Sequence, residues 1–255
     1  MTIGVVVSVP DGIALSADTQ TSWTTTITKA EIKDPLNAAK TIQVDLAKPI
    51  LQQSGWSSGT KKLFKFKYGS DDQNLKDAAI LTAGNASING QTAYAVLKKI
   101  EASCPRTDSC DAVVAYIVDE LKKEFKLQYK VDDMNKMPKT ISSFIFASFE
   151  NSDITKPYIS NNNIITGPLL VGQSDHHINS SITKSTGCTW IGRVEYIGHI
   201  LNHSNANLPP IAGQYHLMTL QDAVRYSRFL TEFTCDFQKY AVCVPDCGRP
   251  VVLLF

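Results

Sequence analysis

The chain has 255 residues, of which 43% are apolar and 19% charged, and its formal net charge is +1. A chain of this length and composition can bury a hydrophobic core without metals or disulfides. The near-zero charge argues against nucleic acid or an anionic membrane as the main partner, and no apolar stretch is long enough to cross a bilayer. The first residues lack the pattern of a signal peptide, so a cytoplasmic protein is predicted.

The chain opens with the pattern of a β-hairpin. Residues 2–9 (TIGVVVSV) and 12–18 (GIALSAD) are rich in apolar and β-branched residues, and a Pro-Asp-Gly turn separates them. Residues 19–60 are rich in Thr, Ser, Gln and Lys, and we interpret them as a long, poorly patterned loop. Residues 61–69 and 78–84 then predict two more strands.

The rest of the chain alternates helical and strand patterns. It predicts, in order, two helices, two strands, two helices and a final strand: 88–103, 108–126, 142–150, 155–160, 189–203, 218–240 and 250–255. Asp108 is the expected N-cap of the second helix, and Thr219 is expected to open the last one. The closing PVVLLF is typical of a buried strand.

This order of elements predicts the α+β class. Two antiparallel sheets packed face to face, with a helix pair on each outer face, accommodate it as a four-layer αββα sandwich. No internal repeat and no linker divides the sequence, so residues 1–255 are predicted to form a single domain.

A threonine at position 2 can carry special chemistry if Met1 is removed. Thr2 would then hold a hydroxyl nucleophile and a free α-amine on one residue, and such an amine has a pKa of roughly 7.7–8.0. The amine can take the hydroxyl proton, as in the N-terminal threonine variant of nucleophilic catalysis. A nearby lysine held by an aspartate, and a glycine N–H for the oxyanion, would complete the site.

Residues of these types follow Thr2 in a suitable order. Asp18 ends the second predicted strand, Lys62 begins the third, and Gly84 ends the fourth. These strand ends can converge on one edge of a sheet. The structural alternatives are a turn-capping Asp18, a solvated Lys62 and an ordinary turn glycine at Gly84.

With these residues in place, the sequence resembles the proteasome β-subunit family of N-terminal-nucleophile hydrolases, and within it the bacterial proteasome-like homologues. The resemblance lies in TIGVVVSVPDGIALSAD, KKLFKF, ILTAGNAS and the late MTLQDAVRYSRFLTEFTCDF…CGRPVVLLF. It covers roughly residues 2–125 and 215–255. It implies the αββα fold, a threonine peptidase or amidohydrolase without a cofactor, a peptide or protein substrate, and assembly of identical subunits into a ring.

The resemblance also assigns roles to individual residues. Thr2 is implied as nucleophile and base, Asp18 and Lys62 as its support, and Gly84 as the oxyanion donor. Thr21 and Thr82 occupy the family's substrate-pocket positions. The family's late motif, an Asp followed by a Ser and two glycines before the last strand, is altered here. Asp236 or Asp246 is in the aspartate position, and Cys247 is in the serine position.

The segment between Asp18 and Lys62 is longer than in the family, by an insertion at about 25–55. Lys33 follows Asp18 at nearly the family's usual separation and therefore competes with Lys62. Lys62 is favoured because it belongs to a lysine pair that opens an apolar strand. The insertion and the altered late motif leave open an alternative, a catalytically inactive structural or binding subunit of the same fold.

Two further interpretations concern metal and self-association. Four histidines could suggest a metal-dependent hydrolase (His176, His177, His199 and His203), but their spacing favours packed or solvated side chains, so no metal site is predicted. The helices 88–103 and 108–126 show more apolar residues than one narrow stripe requires. Some of these apolar residues are therefore expected at an interface between subunits of a homo-oligomer, with Val114 and Ile117 as the positions to test; the set includes Val113, Val114, Tyr116, Ile117 and Leu121.

Overall fold

The computed structural model describes residues 2–34, 37–57, 60–71, 74–133, 136, 140–150, 153, 156–166, 186–192, 197–198, 201, 214–238, 240, 247–248 and 251–254. Within these, the backbone alone is described for 21–57, 140–141, 163, 165–166 and 251–254. The described elements are twelve strands, three α-helices and one short 3-10 helix. The strands are β1 Ile3–Val9, β2 Gly12–Asp18, β3 Thr21–Asp34, β4 Asn37–Ser57, β5 Leu63–Tyr68, β6 Lys76–Ala83, β7 Ser87–Ile88, β8 Gln91–Thr92, β9 Thr140–Phe149, β10 Pro157–Thr166, β11 Gly187–Gly192 and β12 Val251–Leu254. The helices are α1 Ala93–Ala102, α2 Cys110–Tyr129, the 3-10 turn Tyr215–Leu217 and α3 Leu220–Phe237.

Two four-stranded antiparallel sheets form the described framework. The first sheet has the order β11-β1-β2-β12, and the second has the order β10-β9-β6-β5. The strands β1 and β2 form the expected hairpin at the centre of the first sheet, with Val9 opposite Gly12 across a two-residue turn. The predicted mixture of helices with antiparallel sheets is therefore confirmed.

The strand β1 is buried along its whole length, because both of its faces meet a core. Ile3, Val5, Val7 and Val9 lie on one face and pack in a cluster with residues of α3. Val6 lies on the other face, in a cluster with residues of β6 and β9 from the second sheet. This two-sided burial explains why β1 is an apolar run without polar alternation.

The helices α1 and α2 cover the second sheet. A third cluster joins them to β5, β6, β9 and β10, with Phe66, Phe125 and Phe146 among its most buried members. Val114 is only 7% exposed and Ile117 is fully buried in this cluster. The prediction that these two residues form a subunit interface is wrong, because the second sheet of the same chain already covers them.

The helix ends follow their sequence signals, with one correction. The α3 helix opens at Thr219 with a capping box, in which Thr219 and Asp222 bond each other's backbone N–H groups. The N-cap of α2 is Ser109, whose hydroxyl accepts from the N–H of Ala112. Asp108, the residue expected there, instead accepts a 2.6 Å hydrogen bond from the hydroxyl of Ser70.

Two sequence interpretations of secondary structure are wrong. Residues 187–192 form the strand β11, which pairs with β1, whereas a helix was expected from residue 189. The segment 19–60, expected as a loop, contains the long antiparallel ribbon of β3 and β4. This ribbon spans the insertion expected at about 25–55. Among the helices that the structure describes, none has both the length and the apolar character needed to cross a membrane.

Candidate active site

Thr2 lies immediately before β1, and its neighbour anchors it to the next strand. The N–H of Ile3 donates a 2.9 Å hydrogen bond to Oδ1 of Asp18, at the end of β2. Gly4 lets β1 approach the second sheet, because a Cβ there would lie 2.1 Å from Cδ2 of Leu81. The start of β1 is thereby fixed against both sheets, and Thr2 is only 4% exposed.

Asp18 and Lys62 form a buried ion pair beside this point. The Lys62 Nζ donates to both carboxylate oxygens of Asp18, each at 2.9 Å, and also to the carbonyl of Gln20. Asp18 is fully buried and Lys62 is 6% exposed. All three protons of the ammonium therefore have acceptors, so the buried lysine leaves no donor unsatisfied.

The Asp18 carboxylate also collects backbone donors from three parts of the chain. Besides the N–H of Ile3, it accepts from the N–H of Gln20 at 3.1 Å and from the N–H of Gly248 at 3.2 Å. Asp18 therefore links the start of β1, the end of β2 and the segment that precedes β12.

Burial raises the pKa of the Asp18 carboxyl above its ordinary value. The positive charge of Lys62 and the N–H donors of Ile3 and Gly248 act in the opposite direction. The charged form of Asp18 therefore depends on Lys62, and loss of the lysine would push the carboxyl further towards its neutral form.

A cavity of about 460 Å³ lies next to this pair. Four of the residues singled out in the sequence line it together, namely Thr2, Lys62, Thr82 and Gly84. Gly84 has a φ of +99°, a conformation that favours glycine, at the point where the chain leaves β6. The N–H of Thr82 donates to the carbonyl of Lys62 at 2.9 Å, which ties this wall to the ion pair.

The other candidate residues lie at several places. Thr21 begins β3, and Lys33 lies in the same strand opposite Thr41. Among the described side chains, Lys62 is the lysine that bonds Asp18. Asp236 is half-buried in the last turn of α3, and Asp246 lies outside the described residues. Cys247 is buried, and its N–H donates to Oε1 of Gln238 at 3.0 Å.

Sequence reasoning missed two glycines that shape the site. Gly248 supplies an N–H to Asp18, and a Cβ there would lie 1.7 Å from Oε1 of Gln20. Gly192, with a φ of +95°, ends β11 beside Thr2, and a Cβ there would lie 1.7 Å from the Thr2 carbonyl oxygen. The signal in the sequence is a glycine at a strand end, which is too common to identify such a contact.

Replacing Gly192 by alanine is expected to displace Thr2. The alanine would carry the strain of a positive φ, and its methyl group would overlap the Thr2 carbonyl. Gly90→Ala is the matched control, because Gly90 has a φ of +74° and nothing within 4 Å of an added Cβ. Urea unfolding should show a cost of about 1–2 kcal/mol for Gly90→Ala and a larger one for Gly192→Ala. Equal costs would contradict the close approach.

The histidines considered for a metal site lie outside the described residues. Within the part of the chain that the structure describes, no group of three or more His, Cys, Asp or Glu side chains is placed to hold a metal ion. Among the five described cysteines, no two form a disulfide with each other.

Comparison with known proteins relates the chain to solved structures. It matches "Anbu (Gly-1) mutant" from Hyphomicrobium sp. strain MC1 with a TM-score of 0.54 and 16% identity, over 99% of this chain and 80% of that chain. It matches "Anbu (ancestral beta-subunit)" from Yersinia bercovieri with a TM-score of 0.47 and 13% identity, over the same shares. No protein-family model and no curated protein matches the chain. Only the first likeness is close enough to bear on the fold, and it shows a fold shared with an Anbu protein.

Proposed function

We propose that the chain is a threonine-type N-terminal-nucleophile hydrolase that cleaves peptide or amide bonds. The observation that carries this proposal is the buried Asp18–Lys62 pair, bonded to the N–H of Ile3, at a cavity that Thr2 and Gly84 also line. An isolated buried ion pair is a costly way to stabilise a fold, so its position beside a hydroxyl and a cavity favours a chemical role.

The proposed chemistry requires that the peptide bond between Met1 and Thr2 be cut. The Thr2 Oγ then attacks the substrate carbonyl, and the new α-amine accepts the hydroxyl proton. The Gly84 N–H donates to the oxyanion, and the amine passes the proton to the leaving nitrogen as the substrate amide bond breaks. Water hydrolyses the resulting ester and regenerates the hydroxyl.

Lys62 would tune the reacting amine by its charge. A positive charge near an amine disfavours its protonated form and so lowers its pKa. A terminal amine starts at roughly 7.7–8.0, so a modest decrease leaves it neutral and basic at physiological pH. Asp18 holds the ammonium in place through both carboxylate oxygens, and we assign it a positioning role.

The finer architecture belongs to this proposal. Three core clusters, one between the sheets and one beneath the helices on each side, support a four-layer αββα sandwich in one domain. The β3–β4 ribbon would be an insertion into that domain. Assembly of identical subunits into a ring remains a proposal, since its expected contacts at Val114 and Ile117 are buried within the chain.

The second candidate is a catalytically inactive subunit of the same fold. The position where the resemblance expects a serine holds Cys247, whose N–H and Sγ both bond the buried Gln238. A side chain engaged in this way is poorly suited to assist a nucleophile. Under this alternative the cavity binds a partner or a peptide without cleaving it.

Intact-mass measurement of soluble protein distinguishes the two candidates at the first step. The hydrolase proposal expects a chain that begins at Thr2, because the α-amine must be free. Retention of Met1 in all of the soluble protein would refute it. A chain beginning at Thr2 that cleaves no peptide amide would favour the inactive subunit.

A further inference from the structure

The cavity beside Thr2 carries one positive charge that the ion pair does not neutralise. Among the residues that the structure describes, the charged ones lining it are Lys61 and Lys62, with no aspartate or glutamate. The charge of Lys62 is met by Asp18. Lys61 is exposed, and within the described part of the chain its contact is with an aromatic ring rather than a carboxylate.

Lys61 nevertheless makes a defined contact with the ring of Tyr94. Its Nζ lies 4.2 Å from the centre of the Tyr94 ring, which is a cation–π distance. Tyr94 is half-buried and packs on Phe64 with ring centres 5.6 Å apart. Because the ring packs against the core, its contact with the ammonium favours a position of Lys61 at the wall of the cavity.

The remaining walls suit a short side chain that ends in an anion. Hydroxyl and amide groups of Thr60, Asn85, Ser87 and Thr92 line it, and three alanines supply apolar surface. A cation with several neutral polar groups, and without a carboxylate among the described lining residues, matches an acid and disfavours a second cation.

We propose that Lys61 makes the site selective for substrates with an acidic side chain, glutamate or aspartate, next to the bond that is cut. This inference rests on the proposed hydrolase function, because it takes Thr2 as the residue that meets the scissile carbonyl. Lys61 is a specificity residue under this proposal and takes no part in the chemical step.

The test uses peptide amides that differ only in the residue before the scissile bond, which is Glu, Gln, Leu or Lys. The wild-type protein should favour Glu over Gln by about fivefold in kcat/KM, since one partly exposed charge pair contributes about 1 kcal/mol. Lys61→Met keeps the chain over Tyr94 but loses the charge, so it should abolish this ratio mainly through KM. Lys61→Glu should favour Lys instead.

Lys65→Met is the control, because Lys65 is an exposed lysine on β5 that does not line this cavity. It should leave the ratio of Glu to Gln unchanged. Salt should weaken the preference, because Lys61 is exposed. If all four peptides are cut without the Glu preference, or if Lys61→Met slows all of them equally, the inference is overturned while the hydrolase proposal stands.

Binding provides a readout that does not require cleavage. Fluorescence anisotropy of labelled Glu and Gln peptides on the Thr2→Ala variant should show tighter binding of the Glu peptide. Adding Lys61→Met to that variant should remove the difference. If binding shows this pattern but no peptide is cut by the wild-type chain, the hydrolase proposal fails, and what stands is selective binding of acidic peptides through Lys61. Equal binding of both peptides would refute the selectivity whatever the activity.

Discussion

Lys62→Met is expected to lower the free energy of unfolding by about 3–5 kcal/mol, the usual result of removing one partner of a buried ion pair. The reason is that Asp18, which is fully buried, would be left with no counter-charge. Burial already raises the pKa of this carboxyl, so in the variant the carboxyl should take up a proton instead of remaining an unpaired anion. Urea unfolding of the wild type and the variant measures the loss.

The double variant separates the ion pair from simple loss of packing. Asp18→Asn should also be strongly destabilising, because it leaves the Lys62 ammonium buried and unpaired. Asp18→Asn combined with Lys62→Met should cost clearly less than the two single changes added together. Lys123→Met is the control for an exposed pair, since Lys123 pairs with Glu120 while its side chain is about two-thirds exposed. Additive costs, or a control as costly as Lys62→Met, would contradict the account.

Thr2→Ala is expected to abolish hydrolysis, with a fall in kcat of at least about 10⁴-fold, as for the loss of other nucleophiles. The change removes the hydroxyl and the γ-methyl group and leaves the backbone bond from Ile3 to Asp18 in place. Thr2→Ser keeps a hydroxyl and an amine and should retain measurable activity. Steady-state kinetics with a peptide amide, together with thermal unfolding of each variant, checks this.

Stability decides how a loss of activity is interpreted. Thr2→Ala should unfold within a few degrees of the wild type, because it removes only a few atoms beside a cavity. Undiminished turnover by a folded Thr2→Ala variant would exclude Thr2 as the nucleophile. Equal loss in Thr2→Ala and Thr2→Ser would mean that the hydroxyl alone is insufficient, and would point to a role in packing.

Local signals in the sequence were enough for the elements that form from their own residues. The hairpin of β1 and β2 needs only two apolar runs and a tight turn between them. The α3 helix needs a threonine, an aspartate three residues later and an amphipathic pattern. In both cases the tertiary contacts agree with the local preference.

Where partners decide the conformation, the sequence pattern was misleading. In β11 and the residues after it, the apolar residues Trp190, Ile191, Val194 and Ile197 are spaced as on one helix face. The pairing of residues 187–192 with β1 nevertheless fixes a strand. The β3–β4 ribbon was missed although Ile42, Val44 and Leu46 alternate with polar residues, because the high content of Thr, Ser, Gln and Lys was interpreted as a loop. Its pairing partners lie up to 36 positions apart, as for Thr21 and Ser57.

The residues of the candidate site likewise fall into those that the sequence could predict and those that only the fold reveals. Asp18 and Lys62 could be named because each is a charged residue at the end of an apolar strand, and the structure brings them together. Gly192 and Gly248 could not be named, since their importance lies in backbone contacts with Thr2, Asp18 and Gln20 that arise only in the fold. Strand ends indicate which side chains can meet, but not which backbone groups lie beside them.

The most direct test of Thr2 as an N-terminal nucleophile is covalent labelling by an electrophilic peptide probe, such as a peptide vinyl sulfone. The labelled protein is digested, and mass spectrometry locates the modified residue. The account predicts one probe per chain, attached to Thr2 as the first residue, with no labelling of the Thr2→Ala variant. Labelling at Cys104 or another thiol with Thr2 unmodified, or a chain that remains unlabelled although it begins at Thr2, would contradict it.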